Sequence, residues 1–410
     1  MWSRVSIAAV IAIVGLLPGA WAQGEEDPAP RFKATELLSA AVVKGPHHQV
    51  APEVKTEGFF HAFAISSTFG SFQAIGRTQL TVCVQEIAAL AALDEVSKTE
   101  VFLKSAGKSI VKVGQGAAAV VTDPVGTAKG VGAGVKRAGV NLGRRTQRAV
   151  ASAGDDTPSE GGGNAAADAA SSAMGVTGAM RQWARKVGVD PYTTNTVLRK
   201  ALEDIGRVDA AGSLVTKIAV PVPAPVGAIS SIGDVVWSKD PEEVRKINET
   251  ALRAQGVPDD VAKRLFANRS YTLTSQTRFA AALSKVKAKG VADYVSTAAA
   301  ASDAREALFF VESAEMLQQA HARTPVVALL TDSRALVVAD AGGGARALLP
   351  LDWISSTPET RSAIREIAAR ARKELGSTRL EALVTGRVSD LARKEFLKEG
   401  WIVTRSAAKP

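Results

Sequence analysis

Residues 380–404, LEALVTGRVSDLARKEFLKEGWIVT, show most clearly how the end of the chain folds. Leu380–Thr385 and Trp401–Thr404 are short apolar runs, which are typical of buried strands. Ser389–Lys398, between them, has the apolar spacing of a helix. A strand, a helix and a second strand in succession predict a small α/β unit whose sheet is covered by helices.

The residues before this stretch extend the same unit. The predicted elements are strands at Val326–Leu330, Leu336–Val338 and Ala345–Leu349 and a helix at Pro358–Leu375. Gly342–Gly344 predicts the turn that leads into the third of these strands. We therefore expect residues 325–410 to form a C-terminal α/β unit.

Helical patterns separated by proline and glycine occupy residues 173–324 and predict an all-α middle domain. The predicted helices are Val197–Ala219, Pro241–Gln255, Val257–Phe266, Thr274–Lys287, Val291–Ala301 and Asp303–Ala322. Residues 151–172 are rich in Ala, Gly, Ser and Asp and have no periodicity, which predicts a linker before this domain.

The N-terminal region, residues 23–150, begins with a short predicted helix over Thr35–Val43. Phe59–Ser66 alternates in the manner of a strand, and Ser71–Ile75 follows after Phe69-Gly70, so we expect a β-hairpin. The predicted fold class is therefore α+β and predominantly α-helical. It comprises an N-terminal β-hairpin with a basic helical arm, an all-α middle domain and a small C-terminal α/β unit.

Residues 1–22 have the composition of a signal peptide. Arg4 precedes the apolar stretch Val5–Leu17, and the small residues Ala20 and Ala22 suit cleavage before Gln23. The apolar stretch is shorter than a membrane-spanning helix requires, and no later apolar run is long enough to predict one. We therefore expect an exported protein, located in the periplasm, with no transmembrane helix in the mature chain.

Composition excludes several classes of protein. Hydrophobic residues make up 46% of the 410 residues and charged residues 22%, which argues against wholesale disorder and against a fibrous repeat. The chain has one cysteine, so it has no internal disulfide framework and no zinc site built on two thiolates. We predict no catalytic residue, no cofactor and no metal.

The positive charge is concentrated in one segment. The formal net charge is +9, of which Arg4 in the predicted signal peptide contributes one. Between Lys104 and Arg148, nine basic residues stand against one acidic residue, Asp123, so this segment alone carries +8. The rest of the mature chain is balanced, and attraction to an anionic partner is expected to come from this segment.

We call residues 104–148 the basic arm. Its spacing is helical, and Gly126, Gly130 and Gly134 recur at intervals of four, which is typical of a helix that another helix approaches closely. Two interpretations stay open: contact with an anionic membrane surface or partner helix, or packing on its own domain with the cations solvated. The cations expected to make the contact are Lys129, Lys136, Arg137, Arg144, Arg145 and Arg148.

The other residues that could carry chemistry favour structural roles. Gly107-Lys108-Ser109 lacks the earlier glycine of a phosphate-binding loop. Adjacent His47 and His48, considered with His61, have no acidic residue at ligand spacing, so we expect an exposed loop pair rather than a metal site.

Three further groups of side chains receive the same structural interpretation. Cys83 lies in an apolar run and is expected to be buried. The carboxylates Glu306, Glu312 and Glu315 are expected to form a solvated helix face. The tryptophans expected to pack in or beside cores are Trp183, Trp237, Trp353 and Trp401.

Several segments resemble an uncharacterised family of exported Gram-negative bacterial proteins with no assigned function. These segments are Gly58–Phe60, Phe69–Phe72, Glu86–Leu90, Ser97–Glu100, Thr122–Val125, Lys129–Val131 and Asp190–Asn195. The resemblance covers most of the mature chain. It implies an envelope location and supplies no activity, cofactor or catalytic residue.

The function expected from the sequence is that of a non-enzymatic envelope protein that makes contact through the basic arm. Export and the 5% content of aromatic residues argue against a nucleic-acid partner. The alternative is a periplasmic enzyme of unknown reaction, with a site at the strand ends near Thr385, Gly386 and Arg387. A third interpretation is an assembly scaffold that binds through the helical domain. The sequence leaves the oligomeric state open.

Overall fold

The structure is a computed structural model that describes residues 26–28, 30–106, 175–210, 229–332 and 335–406. It is mixed α+β, with a five-stranded sheet near each end of the chain and helices between the two sheets. The predicted fold class is confirmed at this level.

The N-terminal sheet is antiparallel. Its strands are β1 (Arg31–Lys33), β2 (His48–Val50), β3 (Glu53–Glu57), β4 (Phe60–Ser67) and β5 (Gly70–Ile75). β4 is central, because β5 pairs with one edge of it while β2 and β3 pair with different parts of the other edge. The hairpin of β4 and β5 was predicted, whereas β1, β2 and β3 were not. Burial alternates along β4, so that His61, Phe63 and Ile65 face the core.

The predicted helix over Thr35–Val43 is wrong as a single element. Two short helices, α1 (Ala34–Leu37) and α2 (Ala40–Val43), are separated by Leu38 and Ser39, which have extended backbone. Apolar side chains from both helices pack on the sheet core.

A long helix, α3 (Arg77–Ser97), joins two cores. Its first half packs on β4 and β5, and its second half packs on three helices. These helices are α4 (Glu100–Ala106), α5 (residues 175–186) and α6 (Thr196–Ala210). Trp183 of α5 is fully buried in the second core, as predicted.

Six further helices follow within residues 229–332, the next range that the structure describes. They are α7 (Ile229–Ser238), α8 (Pro241–Arg253), α9 (Asp259–Ala267), α10 (Leu273–Leu283), α11 (Val291–Ala298) and α12 (Ala304–Arg323). Three of them begin at a side-chain cap: the Asp240 carboxylate accepts from the backbone of Glu242 and Glu243, Thr272 caps α10, and Asp303 caps α12. Of the five that were predicted, α8, α10 and α11 end two to four residues before the predicted ends, and α9 and α12 end one residue after them. Helix α7 was not predicted.

The C-terminal sheet contains β6 (Val326–Asp332), β7 (Ala335–Asp340), β8 (Gly344–Leu349), β10 (Arg379–Val384) and β12 (Trp401–Arg405). β8, β10 and β12 pair in parallel, and β6, β7 and β8 pair in antiparallel fashion. A small parallel pair lies beside it, formed by β9 (Trp353–Ile354) and β11 (Arg387–Val388). The covering helices are α13 (Pro358–Leu375) and α14 (Asp390–Lys398).

The largest apolar core runs from Leu252 to Trp401 and includes both the middle helices and the C-terminal sheet. The predicted boundary between residues 324 and 325 therefore falls within a shared core. The two sheets stay separate, but Asp352 and Trp353 donate backbone hydrogen bonds to the Phe59 carbonyl, at 3.0 and 3.1 Å. The turn before β4 is thereby fixed against the C-terminal unit.

Among the helices in the described part of the chain, none combines the length and the apolar character needed to span a bilayer.

Candidate functional site

An apolar cavity of about 420 Å³ lies where the N-terminal sheet, the middle helices and the C-terminal unit meet. Its walls come from the turn between β3 and β4, the first turns of α12, the C-terminal sheet, and helices α13 and α14. The volume is in the range of about 300–1,000 Å³ that is usual for small-molecule sites.

The interior of the cavity is made by buried apolar side chains. They are Phe309, Ala347, Leu349, Leu351, Ile354, Ile364, Ile367, Phe396 and Trp401. Ile364 and Ile367 share a face of α13 because they are three residues apart, and Ala347 and Leu349 share a face of β8 because they are two apart. The small side chains of Ala347 and Ala363 leave space between the sheet and α13.

The charged residues that line the cavity are at its opening. We call Glu57, Asp303, Arg305, Glu306 and Glu359 the cavity mouth. Glu57, Asp303, Arg305 and Glu359 are exposed, and Glu306 is half-buried. The mouth therefore brings together four carboxylates and one guanidinium at the edge of an apolar space.

Two helix starts hold three of the four acidic residues of the mouth, and the fourth, Glu57, ends β3. Asp303 accepts from the Glu306 backbone at 2.9 Å, and Glu306 accepts from the backbone and hydroxyl of Ser302 at 2.7 and 2.8 Å. At the start of α13, the Glu359 carboxylate accepts hydrogen bonds from the backbone N–H of Glu359 itself and from the Thr357 hydroxyl. Both hydrogen bonds lower the pKa of Glu359. These carboxylates have a structural role, because acids stabilise the N-terminal end of a helix.

An aromatic side chain completes the opening. Phe59 is 38% exposed although it lies beside the cavity. It follows Gly58, whose φ of +62° favours glycine and allows the tight turn into β4. The position of Phe59 is fixed by its backbone, because its carbonyl accepts the two hydrogen bonds from the C-terminal unit.

A second group of charges lies inside the molecule. We call Glu86, Asp190, Arg278, Glu312 and Glu315 the polar junction, because they connect α3, the loop after α5, α10 and α12. Arg278 donates to both carboxylate oxygens of Glu315 at 2.9 Å, in bidentate geometry. Asp190 accepts from the Tyr192 backbone at 2.8 Å and from the Thr274 hydroxyl. Glu86 accepts from the Thr193 hydroxyl and from the Asn195 amide.

Burial raises the pKa of three carboxyl groups in the polar junction. The pKa of Glu312 is raised by burial to about 7, against the lowering effects of the Thr78 hydroxyl and of Arg278. Burial also raises the pKa values of Glu86 and Asp190. The Oε1 atom of Glu312 is buried without a hydrogen-bond partner among the described residues. Burial disfavours the charged form of each group, which is why the three pKa values are raised.

The expectation that Glu306, Glu312 and Glu315 form a solvated face is wrong for two of the three. The Glu312 carboxyl is buried and Glu315 pairs with Arg278, because α10 packs on this side of α12. The helical pattern could not show this, since the covering helix is distant in sequence.

The expectation of an exposed histidine pair is wrong for His48, which is buried, and holds for His47. His61, for which no exposure was predicted, is buried as well. The His48 ring lies against Gly45, where a Cβ atom would be 2.5 Å from Cε1, and its Nε2 is 3.0 Å from the Val42 carbonyl. Burial lowers the pKa of His61 to about 4, with further lowering by Arg77 and Arg387. Strand β4 turns His61 inwards together with its apolar neighbours.

Cys83 is buried, as predicted, and burial raises the pKa of its thiol to about 12. A thiol of this kind is unreactive. Within the described residues, no group of three or more His, Cys, Asp or Glu side chains could hold a metal ion.

The residues predicted to make contact through the basic arm lie outside the described residues. They are Lys129, Lys136, Arg137, Arg144, Arg145 and Arg148, with the packing glycines Gly126, Gly130 and Gly134. The phosphate-loop-like Gly107-Lys108-Ser109 lies outside them as well.

The strand-end residues that were considered for an enzyme site make structural contacts. The Thr385 hydroxyl donates to the Leu351 carbonyl at 3.1 Å, and Arg387 donates to the Glu36 carbonyl at 2.8 Å. Gly386 lies so close to the preceding loop that a Cβ atom there would be 2.0 Å from the Asp352 carbonyl oxygen. Thr385 and Gly386 therefore pack within the C-terminal unit, and Arg387 joins this unit to α1.

Sequence reasoning did not identify the cavity. Its lining residues come from positions as far apart as Glu57 and Trp401, and no spacing connects them. One local signal was present, since Phe59 and Phe60 follow a glycine at a turn, where aromatic side chains are unusual.

Comparisons with protein-family models, with curated proteins and with solved structures gave no match to this chain.

Proposed function

We propose that the protein is a non-enzymatic binding protein of the cell envelope, and that its cavity holds an apolar ligand. The observation that carries this proposal is the cavity itself, whose interior is built from buried apolar side chains while its charges are confined to the mouth. A concave apolar space with a few polar groups at one side is typical of small-molecule binding sites.

The expected gain in binding energy follows from the apolar interior. Each methylene group of a ligand that leaves water contributes about 0.8 kcal/mol, or about fourfold in affinity. In a series of straight-chain alcohols, affinity is therefore expected to rise about fourfold for each added methylene, until the cavity is full.

The experiment measures fluorescence of Nile red, a neutral dye, bound to the purified protein and displaced by octanol, decanol and dodecanol. Ala363→Phe places a ring in the cavity and is expected to abolish dye binding. The matched control is Ala369→Phe, because Ala369 is on the same helix, exposed, and not part of the lining. Equal dye binding by both variants, or alcohols of every length displacing equally, would refute a ligand-binding cavity.

Export is part of the same proposal. Arg4, the apolar stretch Val5–Leu17 and the small residues at Ala20 and Ala22 support it. The protein recovered from the periplasm of a Gram-negative host is expected to begin at Gln23. Recovery only from the cytoplasm, with residues 1–22 retained, would count against an envelope location.

A second candidate function is contact with an anionic membrane surface through the basic arm. The confinement of a net +8 to residues 104–148 favours it. Each basic residue near an anionic membrane contributes about 1 kcal/mol, and salt screens the attraction. A protein with both the apolar cavity and the basic arm would bind its apolar ligand at the membrane surface.

The experiment measures sedimentation with vesicles of phosphatidylcholine alone or mixed with phosphatidylglycerol, at low and high salt. Binding is expected only to the anionic vesicles, and to weaken with salt. Replacing Lys129, Lys136, Arg137, Arg144, Arg145 and Arg148 by glutamine is expected to abolish it. A control variant changes six exposed cations elsewhere, Lys246, Lys263, Arg269, Lys285, Lys287 and Arg323. Equal loss of vesicle binding in the two variants would show that the attraction depends on the total charge of the protein and not on the basic arm.

A further inference from the structure

The charge of the cavity mouth distinguishes among apolar ligands. Four carboxylates and one guanidinium, Arg305, give the mouth a formal charge of −3. Asp303 and Arg305 approach to 3.6 Å, so part of the negative charge is paired within the mouth. An anionic head group at this opening would meet the remaining carboxylates.

The two helix starts at the mouth act in the opposite direction. The N-terminal ends of α12 and α13 each have the effect of about half a positive charge. Together they offset about one of the three excess negative charges, so the mouth retains a net negative potential. Glu57 and Glu359 are exposed, which leaves their carboxylates accessible to a bound head group.

The aromatic ring of Phe59 adds a second preference for positive charge. An aromatic face attracts ammonium groups, and the attraction is strongest for cations that are weakly hydrated, such as quaternary ammonium groups. Phe59 is partly exposed and follows Glu57 by two residues in the same turn, so a ring and a carboxylate lie at one side of the opening.

We propose that the ligand is an amphipathic cation, with a single alkyl or acyl chain in the cavity and an amine or quaternary ammonium group at the mouth. The chain contacts the buried apolar interior, and the head group lies beside Glu57, Glu359 and Phe59. This inference rests on the proposed function, because it requires the cavity to hold an apolar chain.

The experiment compares three ligands with the same chain and different head groups. Dodecyltrimethylammonium, dodecanol and dodecyl sulfate, each below its micelle concentration, displace Nile red from the wild-type protein. The cation is expected to bind at least about fivefold more tightly than dodecanol, and dodecyl sulfate more weakly than dodecanol. Added salt is expected to reduce both differences.

A pair of double variants tests whether the preference for the cationic head group comes from the cavity mouth. The double variant Glu57→Gln and Glu359→Gln is expected to weaken binding of the cation at least about threefold more than it changes binding of dodecanol. The control, Glu53→Gln with Glu366→Gln, removes the same charge from β3 and α13 at positions outside the cavity lining. It is expected to bind all three ligands as the wild type does.

The outcomes separate this inference from the proposed function. If dodecanol displaces the dye and Ala363→Phe blocks binding, but the cation and the anion bind equally, the cationic ligand class is wrong and the apolar site stands. If dodecanol does not displace the dye, both proposals fail. The comparison of head groups uses the wild-type protein, so it decides the question even if the double variant does not fold.

Discussion

The cavity mouth and the polar junction contain the same kinds of ionisable groups, but the mouth is exposed to solvent and the junction lies inside the molecule. Each has four carboxyl groups and one guanidinium, Arg305 at the mouth and Arg278 in the junction. At the mouth, water solvates the carboxylates and the pKa of Glu359 is lowered. In the junction, burial raises the pKa values of Glu86, Asp190 and Glu312.

The comparison shows that surroundings, rather than composition, decide what a charge cluster does. Exposed charges are screened, contribute little to stability and remain available to a ligand. Buried charges must be paired or neutral, so they contribute to the stability of the packed elements and make it depend on pH. We therefore expect changes in the junction to affect folding and changes at the mouth to affect binding.

The largest difference is expected between the two arginines. Arg278→Met removes the buried guanidinium and leaves the half-buried Glu315 without its partner, and it is expected to reduce the free energy of unfolding by about 3 kcal/mol. Arg305→Met is expected to reduce it by at most about 1 kcal/mol, because Arg305 is 42% exposed. Urea unfolding of both variants measures this difference. Similar losses in the two would contradict the assignment of structural charge to the junction.

The second effect is a pH dependence from Glu312. Its pKa is raised from 4.5 to about 7 in the folded state, so its contribution to stability is complete below pH 4.5 and is lost as pH rises to about 7. The groups that face Glu312 shift its pKa in both directions. Arg278 and the Thr78 hydroxyl lower the pKa, and Glu315 and Asp352 raise it. The loss amounts to about 3 kcal/mol.

Glu312→Gln is expected to remove this loss, because glutamine does not titrate. Urea unfolding of wild type and variant across the same pH range measures it. The control is Glu359→Gln. The pKa of Glu359 is lowered in the folded protein, so the stability that this carboxylate contributes is lost as pH falls, which is the opposite of the dependence expected from Glu312. A Glu312→Gln variant with the same pH dependence as the wild type would show that this carboxyl is not the titrating group.

The smallest change in stability is expected at the mouth. Phe59→Ala is expected to alter the free energy of unfolding by less than about 1 kcal/mol, since the ring is partly exposed and the backbone hydrogen bonds remain. Dodecanol affinity is expected to fall about fivefold. Val327→Ala is the control, an exposed apolar residue of β6 outside the cavity. Loss of affinity in Val327→Ala, or none in Phe59→Ala, would place the ligand elsewhere.

The secondary structure could be predicted where local signals were strong. Pro358–Leu375 was predicted with both of its ends, because Pro358 begins the helix and Gly376 ends it with φ of +64°. The hairpin of β4 and β5 was predicted from alternation. The strand β1 was missed, because three residues do not show a periodic pattern.

The functional side chains were harder to predict. Glu306, Glu312 and Glu315 share one helix and one residue type, but they belong to the mouth, to a buried site with a raised pKa, and to an ion pair. The difference arises from what packs on each part of α12. Helical spacing gives no information about the covering element.

The amino-acid sequence by itself determined the mixed α+β class and most of the helices and strands, because capping residues, turn residues and apolar periodicity act over a few neighbouring residues. It also located the net charge of +8 in residues 104–148. Only the tertiary structure decided that Glu57, Phe59, Glu359 and Trp401 border one cavity and that Arg278 lies buried among carboxyl groups. These properties depend on contacts between residues far apart in the chain, since packing sets the volume of a cavity and burial sets the charge of an acid.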